Sequence, residues 1–292
     1  MVEFSNWTVN KRKLKNLSQL KEDIIKNLKD NNLEDEKIVC MLSGGKDSSI
    51  SLAICKELNL NVSLGVHFVH KWSWDISKKN VEYLKKKYNI PIIYHDITDD
   101  LKKRLNGAKG GSVCRICKNI MKDNIVKIAK KNDCKIIMTG DTALEKISGP
   151  IMDYLREMYG EVIYSKMELT KVPKKYNTFF LRPLIRCGYE DILKLKDYYG
   201  IDITQVNEVG DKIGYWREGC PIQYCDYNTI ISNEELLDKL YLYNLKLTEI
   251  GRKYGFRCSI KLPSKEIMVV PKKDEYIKMC KEVIDKLEKD VG

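Results

Sequence analysis

The chain has 292 residues, of which 43% are hydrophobic and 32% are charged, as in an ordinary folded globular protein. No apolar run reaches the roughly 20 residues of a membrane span, and residues 1–16 lack a signal-peptide core, so we expect a cytoplasmic protein without membrane contact. The net charge of +11 is compatible with a polyanionic partner and equally with lysines on solvated helix faces.

Strand-like and helix-like patterns alternate along the first 200 residues. Apolar runs and helical periodicity predict, in chain order, helix 17–31, strand 37–42, helix 48–58, strand 62–69, helix 76–88, strand 90–96, helix 116–131, strand 135–139, helix 142–159, strand 179–185 and helix 190–199. Residues 107–112, rich in glycine, are expected to form a mobile basic loop. The alternation predicts an α/β protein with a doubly wound, mostly parallel sheet.

After about residue 210 the pattern changes. Ser232 with Glu235 predicts a capping box that starts a helix ending near Tyr254. Two short apolar runs, 257–262 and 266–270, predict a hairpin, and a closing helix is expected over 274–289. The residues beyond the central alternation are therefore expected to form small N- and C-terminal extensions.

The most informative motif follows the first predicted strand. Residues 43–48 read Ser43-Gly44-Gly45-Lys46-Asp47-Ser48. Two glycines allow a tight turn whose amide N–H groups point at an anion, and the N-terminus of the following helix adds a positive dipole. The serines offer hydroxyl donors, Lys46 supplies charge, and Asp47 is a candidate ligand for Mg²⁺. The motif therefore predicts a phosphate-binding loop.

This motif resembles the SGGxDS loop of the PP-loop ATP pyrophosphatases. The resemblance implies the adenine nucleotide alpha hydrolase-like fold, ATP as cosubstrate and cleavage between its α and β phosphates. Gly140 follows the fourth predicted strand as Ser43 follows the first, so both are expected at one crevice. His67, near the end of the second strand, is expected beside the adenine or packed in the core. The family's acids after the fourth strand point to Asp141 as catalytic, with Glu145 as the other candidate, although the family's histidine is absent.

Ten cysteines accompany only three histidines. Cys40, Cys55 and Cys280 lie in apolar-periodic runs and are expected in the core. Cys114 and Cys117 form a CxxC at a helix start, and Cys220 precedes a proline far downstream, with Cys225 as a competing ligand. Three thiolates are one short of a closed tetrahedral site, and on a [4Fe-4S] cluster they leave one iron open. A zinc site, a Cys114–Cys220 persulfide relay and unligated thiols remain alternatives.

The cysteine pattern resembles that of the cluster-dependent tRNA 2-thiocytidine and 2-thiouridine synthetases, over about residues 37–225. The resemblance implies that Cys114, Cys117 and Cys220 bind the cluster and that Cys220 is also catalytic, with Asp47 and Asp141. It divides the chain into an N-terminal helical extension (1–35), a PP-loop ATP-binding domain with the cysteine site (36–228) and a C-terminal α/β extension (229–292).

The sequence thus predicts an ATP-dependent tRNA sulfurtransferase that adenylates a pyrimidine C2 oxygen and replaces it with sulfur. It would use ATP, Mg²⁺, a [4Fe-4S] cluster or zinc, a tRNA and a sulfur donor, and a homodimer is possible. The candidate RNA contacts are Lys102, Lys103, Arg104, Lys109, Lys171, Lys174, Lys175 and the segment 215–217. The alternatives are a PP-loop ligase or sulfur-insertion enzyme acting on a small metabolite with a zinc site, and a non-catalytic ATP- or RNA-binding protein.

Overall fold

The structure is a computed structural model that describes residues 2–4, 16–142, 158, 166–172, 177–203 and 220–291. Its elements, in chain order, are α1 (Leu17–Asp30), β1 (Ile38–Met41), α2 (Lys46–Glu57), β2 (Val62–Val69), α3 (Asp75–Tyr88), β3 (Ile92–Asp96), α4 (Thr98–Leu105), β4 (Ala108–Lys109), α5 (Val113–Lys131), β5 (Ile136–Met138), β6 (Leu169–Lys171), β7 (Phe179–Leu181), α6 (Tyr189–Tyr198), β8 (Ile230–Ile231), α7 (Glu234–Tyr254), β9 (Arg257–Ile260), β10 (Ile267–Val270) and α8 (Asp274–Val291). Short 3-10 helices cover Gly110–Ser112 and Pro221–Tyr224.

The chain divides into two compact units. The first unit comprises Met1–Phe68, Ile76–His95 and Lys122–Ile203, and the second unit comprises Val69–Asp75, Asp96–Met121 and Thr204–Gly292. The domain boundaries predicted after residues 35 and 228 stay a prediction.

The first unit is built on a six-stranded sheet with the order β3-β2-β1-β5-β7-β6. β1 pairs in parallel with β2 and β5, β7 pairs in parallel with β5, and β6 is antiparallel to β7. Ile38, Val39 and Cys40 of β1 are buried in succession, as in a strand covered on both faces. The predicted mostly parallel α/β fold is confirmed.

Helix α1 packs into the core of the first unit. Its apolar positions Leu20, Ile24 and Leu28 are fully buried, and each such side chain contributes roughly 2 kcal/mol by leaving water. The Asn16 side chain caps the helix by accepting a hydrogen bond from the Gln19 amide at 3.0 Å. The predicted bounds of this helix agree with the structure within one residue.

The second unit contains α7, α8 and the antiparallel hairpin β9–β10, in which Ile260 pairs with Ile267. The hairpin and both helices follow the prediction. The predicted capping box is wrong: Asn233 is the N-cap of α7, because its side-chain oxygen accepts the Leu236 amide at 3.2 Å. Ser232 therefore lies one residue too early for this role.

The segment predicted as a mobile loop at 107–112 is paired backbone. β4 runs antiparallel to β8, and the Gly107 amide donates to the Ile231 carbonyl at 2.6 Å. A Cβ at Gly110 would lie 2.4 Å from the Asp226 carbonyl oxygen. Glycine is therefore used here for close backbone packing rather than for mobility.

Some predictions fall outside the described residues. These are the predicted helix beyond Thr142, including Glu145, and the residues Lys174, Lys175 and 215–217. Among the described helices, none combines the length and the apolar character that crossing a membrane requires.

Candidate nucleotide loop and cysteine site

The loop at residues 43–48 closes on itself through its serines. The Ser43 and Ser48 hydroxyls lie 3.1 Å apart, the Gly45 amide donates to Ser43 Oγ at 3.3 Å, and Ser48 Oγ donates to the Gly45 carbonyl at 3.1 Å. The Ser49 hydroxyl also donates to the Gly45 carbonyl, at 2.8 Å. The loop is therefore ordered by its own side chains.

Gly44 can be replaced by no other residue without strain. Its φ is +76°, and a Cβ there would lie 2.3 Å from the Ser77 carbonyl oxygen of α3. The Asn80 side chain donates to the Gly44 carbonyl at 2.9 Å. Helix α3 thus fixes the turn from outside, and only glycine fits between the two segments.

Helix α2 begins within the motif, at Lys46, with Gly45 as N-cap. Lys46 Nζ lies 3.5 Å from Asp47 Oδ1 and 5.7 Å from the centre of the Tyr189 ring. A helix N-terminus, a serine-lined turn and a lysine therefore share one place in the first unit. This arrangement suits a bound polyphosphate, because both the helix dipole and the lysine favour negative charge.

Gly140 lies directly against the start of α2. A Cβ at Gly140 would lie 2.5 Å from the Ser48 amide nitrogen. The next residue, Asp141, accepts hydrogen bonds on Oδ2 from Thr139 Oγ1 at 2.8 Å and from Arg182 Nε at 3.2 Å. The structure thus brings Gly140 to the loop, as predicted from their positions after strands, and fixes Asp141 by a residue that the prediction gave no role.

Arg182 connects Asp141 to the edge of the sheet. Its Nη1 donates to the Met167 carbonyl and to Thr170 Oγ1, both at 2.9 Å. Only 14% of the Arg182 side chain is exposed, and 23% of that of Asp141. The carboxylate is therefore oriented rather than freely rotating.

His67 supports the residue that precedes the loop. Its Nδ1 donates to the Leu42 carbonyl at 2.7 Å, and its ring lies edge-on to Tyr94. Its Nε2 is buried and has no hydrogen-bond partner among the described residues. Burial lowers the pKa of His67, so the imidazole is neutral with its proton on Nδ1. The predicted role beside adenine stays a prediction.

The three predicted cysteine ligands lie in one neighbourhood of the second unit. Cys114 is exposed and Cys117 half-buried near the start of α5, three residues apart and on one helix face. The pKa of Cys220 is raised to about 12, chiefly by burial and to a smaller extent by Cys117 and Cys114. Burial likewise raises the pKa of Cys117 to about 11, with Cys114 adding to it. The three thiols are therefore near enough to influence one another's pKa.

Cys225 has different neighbours. It is buried, and a Cβ at Gly110 would lie 3.0 Å from its Sγ. Its pKa is raised to about 11 by burial and then by Asp226. Cys225 therefore lies against Gly110 and Asp226, and the two CxxC thiols do not shift its pKa. This difference favours Cys220 over Cys225 as the third member of the site.

The donor set suits a soft metal centre. Three thiols are the ligands that iron–sulfur clusters and zinc prefer. Within the described residues, however, no three His, Cys, Asp or Glu side chains are arranged to hold a metal ion. The chemistry of the set therefore fits, the ligand geometry is not preformed, and the assignment of these cysteines as ligands stays a prediction.

His70 contacts Cys220, a contact that no sequence pattern indicates. His70 Nε2 lies 3.7 Å from Cys220 Sγ, and the Cys220 thiol also points at the Trp72 carbonyl, 3.9 Å away. The Trp72 amide donates to His70 Nδ1 at 3.2 Å. Burial lowers the pKa of His70 to about 4, with Asp96 acting in the opposite direction, so the ring is neutral.

Comparison with known proteins adds family membership. Residues 37–148 match the phosphoadenosine phosphosulfate reductase domain. The uncharacterized protein MJ1016 of Methanocaldococcus jannaschii is 60% identical over 289 residues, which cover 97% of this chain and 98% of that protein.

Two solved structures share parts of the fold. The U34-tRNA thiolase NcsA from Methanococcus maripaludis with its [4Fe-4S] cluster has a TM-score of 0.49 and 15% identity, over 82% of this chain and 76% of that chain. NMN synthetase from Francisella tularensis has a TM-score of 0.44 and 15% identity, over 63% of this chain and 71% of that chain. At these values neither structure identifies an activity or a site here. The MJ1016 relationship shows that this chain belongs to the family of MJ1016, and residues 37–148 match a domain of the PP-loop superfamily, whose members are ATP-using enzymes.

Proposed function

We propose that this protein is an ATP-dependent tRNA sulfurtransferase that replaces a pyrimidine C2 oxygen with sulfur. One observation carries the proposal: a chain with an ordered PP-loop also carries three thiols, Cys114, Cys117 and Cys220, that interact with one another. A phosphate loop alone suits many ATP-using enzymes. The interacting thiols add the sulfur chemistry.

The loop residues bind ATP in this proposal. The backbone of Gly44 and Gly45 and the hydroxyls of Ser43 and Ser48 surround the pyrophosphate, with Lys46 offsetting its charge. Such a site favours departure of the pyrophosphate, because the same groups bind it more strongly as charge accumulates. His67 supports the strand end from which the loop starts.

Two carboxylates flank this loop. Asp47, in the first turn of α2, is the residue that would bind Mg²⁺, which neutralises phosphate charge when bound. Asp141 is oriented by Arg182 and Thr139, next to the glycine that touches the Ser48 amide. In this proposal Asp141 positions the activated substrate or a metal ion at the phosphates.

The chemistry proceeds in two displacements. The pyrimidine C2 oxygen attacks the α-phosphorus of ATP, the bond to the β-phosphate oxygen breaks, and pyrophosphate leaves. A sulfur nucleophile from a sulfur donor then adds at C2, and AMP leaves with the original oxygen. The active-site residues bind and orient the reactants in both steps.

Cys114, Cys117 and Cys220 would hold a [4Fe-4S] cluster, and zinc is the alternative metal. When bound by three cysteines, the cluster supplies an iron with an open position for exogenous sulfide.

The charge of the chain supports an RNA substrate. The excess of 52 basic over 41 acidic residues favours association with phosphates. Lys103, Arg104 and Lys109 are exposed close before the CxxC in the sequence. A homodimer and a cytoplasmic location remain expectations.

The decisive experiment is mass spectrometry of tRNA nucleosides from a strain that lacks this gene. We expect one thiolated pyrimidine to disappear, to return with the wild-type gene and to stay absent with Cys220→Ser. Unchanged thionucleosides would contradict the proposal. Pyrophosphate release with a small metabolite and without tRNA would instead identify a metabolite ligase.

The metal is tested on protein purified without oxygen. Brown protein with about four irons per chain supports the cluster. Colourless protein that binds one zinc ion after attempted reconstitution would support the zinc-containing alternative. If neither tRNA nor metabolites elicit pyrophosphate release, the chain is a nucleotide- or RNA-binding protein.

A further inference from the structure

We propose that His70 is a positioning residue of the cysteine site, which donates an Nε2–H hydrogen bond to the sulfur of Cys220. The inference deepens the proposed function, because it assigns a role to His70 around one of the three proposed ligands. It uses only contacts within the second unit.

The proton position follows from the backbone. A peptide N–H is always a donor, so the Trp72 amide, 3.2 Å from His70 Nδ1, requires Nδ1 to accept. A neutral imidazole that accepts on Nδ1 carries its proton on Nε2. That nitrogen lies 3.7 Å from Cys220 Sγ. The ring is thus a donor toward the sulfur.

The loop that carries His70 is closed at both ends. The His70 amide donates to Ser73 Oγ, and the Ser73 amide donates to the His70 carbonyl, both at 2.8 Å. Between them, the Lys71 amide donates to Thr98 Oγ1 at 2.9 Å. The backbone from which the imidazole projects is therefore held in place.

Trp72 anchors the same turn to helix α7. Its side chain is fully buried, and its Nε1 donates to Asp238 Oδ1 at 2.8 Å. Lys71 Nζ lies 2.7 Å from a carboxylate oxygen of Glu234 and 2.8 Å from one of Asp238. These contacts fix the Trp72 amide, and that amide in turn fixes the tautomer of His70.

The same geometry indicates that His70 is a hydrogen-bond donor to Cys220 and not a fourth metal ligand. A histidine that binds metal through Nε2 needs a free electron pair there and a proton on Nδ1. Such a proton would point at the Trp72 N–H, so that two hydrogen-bond donors would face each other with no acceptor between them. Ligation by His70 would therefore cost the hydrogen bond at Nδ1, whereas donation to Cys220 retains it. The fourth position of a metal centre is left to an exogenous group.

A hydrogen bond to a ligating sulfur has measurable consequences. It orients the sulfur and withdraws negative charge from it, which strengthens metal binding in a fixed geometry and raises the reduction potential of an iron–sulfur cluster. Loss of comparable outer contacts typically weakens metal affinity by about 10- to 100-fold.

The first test determines which ring nitrogen of His70 carries the proton. Nitrogen NMR of protein labelled in its three histidines reports which ring nitrogen carries the proton, and a His70→Leu spectrum assigns the signal. We expect the Nε2–H form for His70 in metal-free protein and after addition of Cd²⁺. A proton on Nδ1, or Cd²⁺ bonded to Nε2, would overturn the proposal.

The second test compares variants in Cd²⁺ titrations followed by thiolate-to-metal absorption. We expect His70→Leu to bind about 10- to 100-fold more weakly, and His70→Gln, which retains an N–H at a similar reach, to recover most of the affinity. His95→Leu is the matched control, because His95 packs against Phe68 in the first unit. Equal affinities of wild type and His70→Leu, or no recovery in His70→Gln, would refute the role.

The cluster adds an independent readout. In reconstituted protein we expect the reduction potential to shift to more negative values in His70→Leu and to return toward wild type in His70→Gln. The NMR and Cd²⁺ results stand even if the tRNA of the deletion strain keeps its thionucleosides. Conversely, an unaffected His70→Leu protein leaves the tRNA experiment intact, so the two proposals fail separately.

Discussion

The loop of the first unit and the cysteine site of the second unit are ordered by different parts of the chain. In the loop, backbone geometry dominates: Gly44 and Gly140 each approach neighbouring backbone so closely that no Cβ fits, and the serines bond within the motif. In the cysteine site, the relevant features are the burial and the mutual proximity of side chains. Cys117 and Cys220 are thiols whose pKa burial raises to about 11 and about 12.

This difference bears on what each site needs before it can bind. A strand, a glycine turn and a helix N-terminus form an anion site as soon as the fold forms. A thiol site binds metal only after its protons leave, so its order depends partly on the metal. Under the proposed function, the fold would prepare the nucleotide site in advance, whereas the cysteine site would be completed by its metal.

The largest predicted effect separates the two candidate third cysteines. Cys220→Ser should abolish retention of the cluster during anaerobic reconstitution, because it removes the thiol that interacts with Cys114 and Cys117. Cys225→Ser should keep the iron content of wild type, since Cys225 lies against Gly110 and Asp226 instead. Iron analysis and absorption near about 400 nm measure both. Equal loss in the two variants would contradict the assignment.

The next prediction tests whether backbone geometry makes the loop. Gly44→Ala forces φ near +76° on alanine and places its Cβ 2.3 Å from the Ser77 oxygen. We expect ATP affinity to fall roughly 1,000-fold, about 4 kcal/mol, from backbone strain and overpacking together. Isothermal titration with ATP measures it.

Gly255→Ala is the control for Gly44→Ala. Gly255 has φ +74° at the C-cap of α7, and a Cβ there would meet nothing within 4 Å. The unfolding free energy of this variant should fall by only roughly 1–2 kcal/mol, which is the strain of an alanine in the left-handed region. Its ATP affinity should stay that of wild type. Similar ATP affinities in the two variants would show that the close contact with Ser77 is unimportant.

The stability of the first unit should also depend on pH. In the first unit, burial raises the pKa of Glu168 to about 7, with Arg186 and Asn27 opposing it. The folded-state pKa is above the unfolded value, so the associated stability is present below pH 4.5 and is lost as pH rises through about 7.

Glu168→Gln removes this titration and keeps an acceptor for the Asn27 side chain. Relative to wild type, the variant should gain up to roughly 3 kcal/mol in unfolding free energy between about pH 5 and about pH 8. Urea unfolding at both values measures the difference. A constant difference across this range would show that Glu168 does not titrate there.

The smallest predicted effect concerns thiol access in metal-free, reduced protein. Cys114 is exposed, whereas Cys220, with a pKa of about 12, is ionised to about one part in ten thousand at pH 8. Peptide mass spectrometry after brief iodoacetamide treatment should show Cys114 modified at least about tenfold faster. Equal rates would mean that Cys220 is neither protected nor protonated as described.

Local pattern was sufficient to predict most of the first unit. The predicted strand 62–69 coincides with β2, and the predicted helix 76–88 with α3 within one residue. Ser43–Ser48 was predicted as a phosphate loop because the turn, its glycines and the helix start are neighbours in sequence. Such features need no knowledge of distant contacts.

Features that depend on distant contacts were missed. β4 and β8 have two residues each and pair across more than a hundred residues, too short for a periodic pattern. α4 has only two buried positions, Leu101 and Leu105, so its helical face was not recognised. Arg182 beside Asp141 and His70 beside Cys220 are juxtapositions that only the folded chain reveals.

The segmentation of the chain has a consequence for biosynthesis. Every part of the first unit has been translated by Ile203, whereas the second unit requires the residues that follow. On the ribosome, the nucleotide loop is thus able to form while Cys114 and Cys117 still await Cys220. Under the proposed function, metal insertion would therefore be a late event in the maturation of this protein, and chains truncated before Cys220 are expected to bind no cluster.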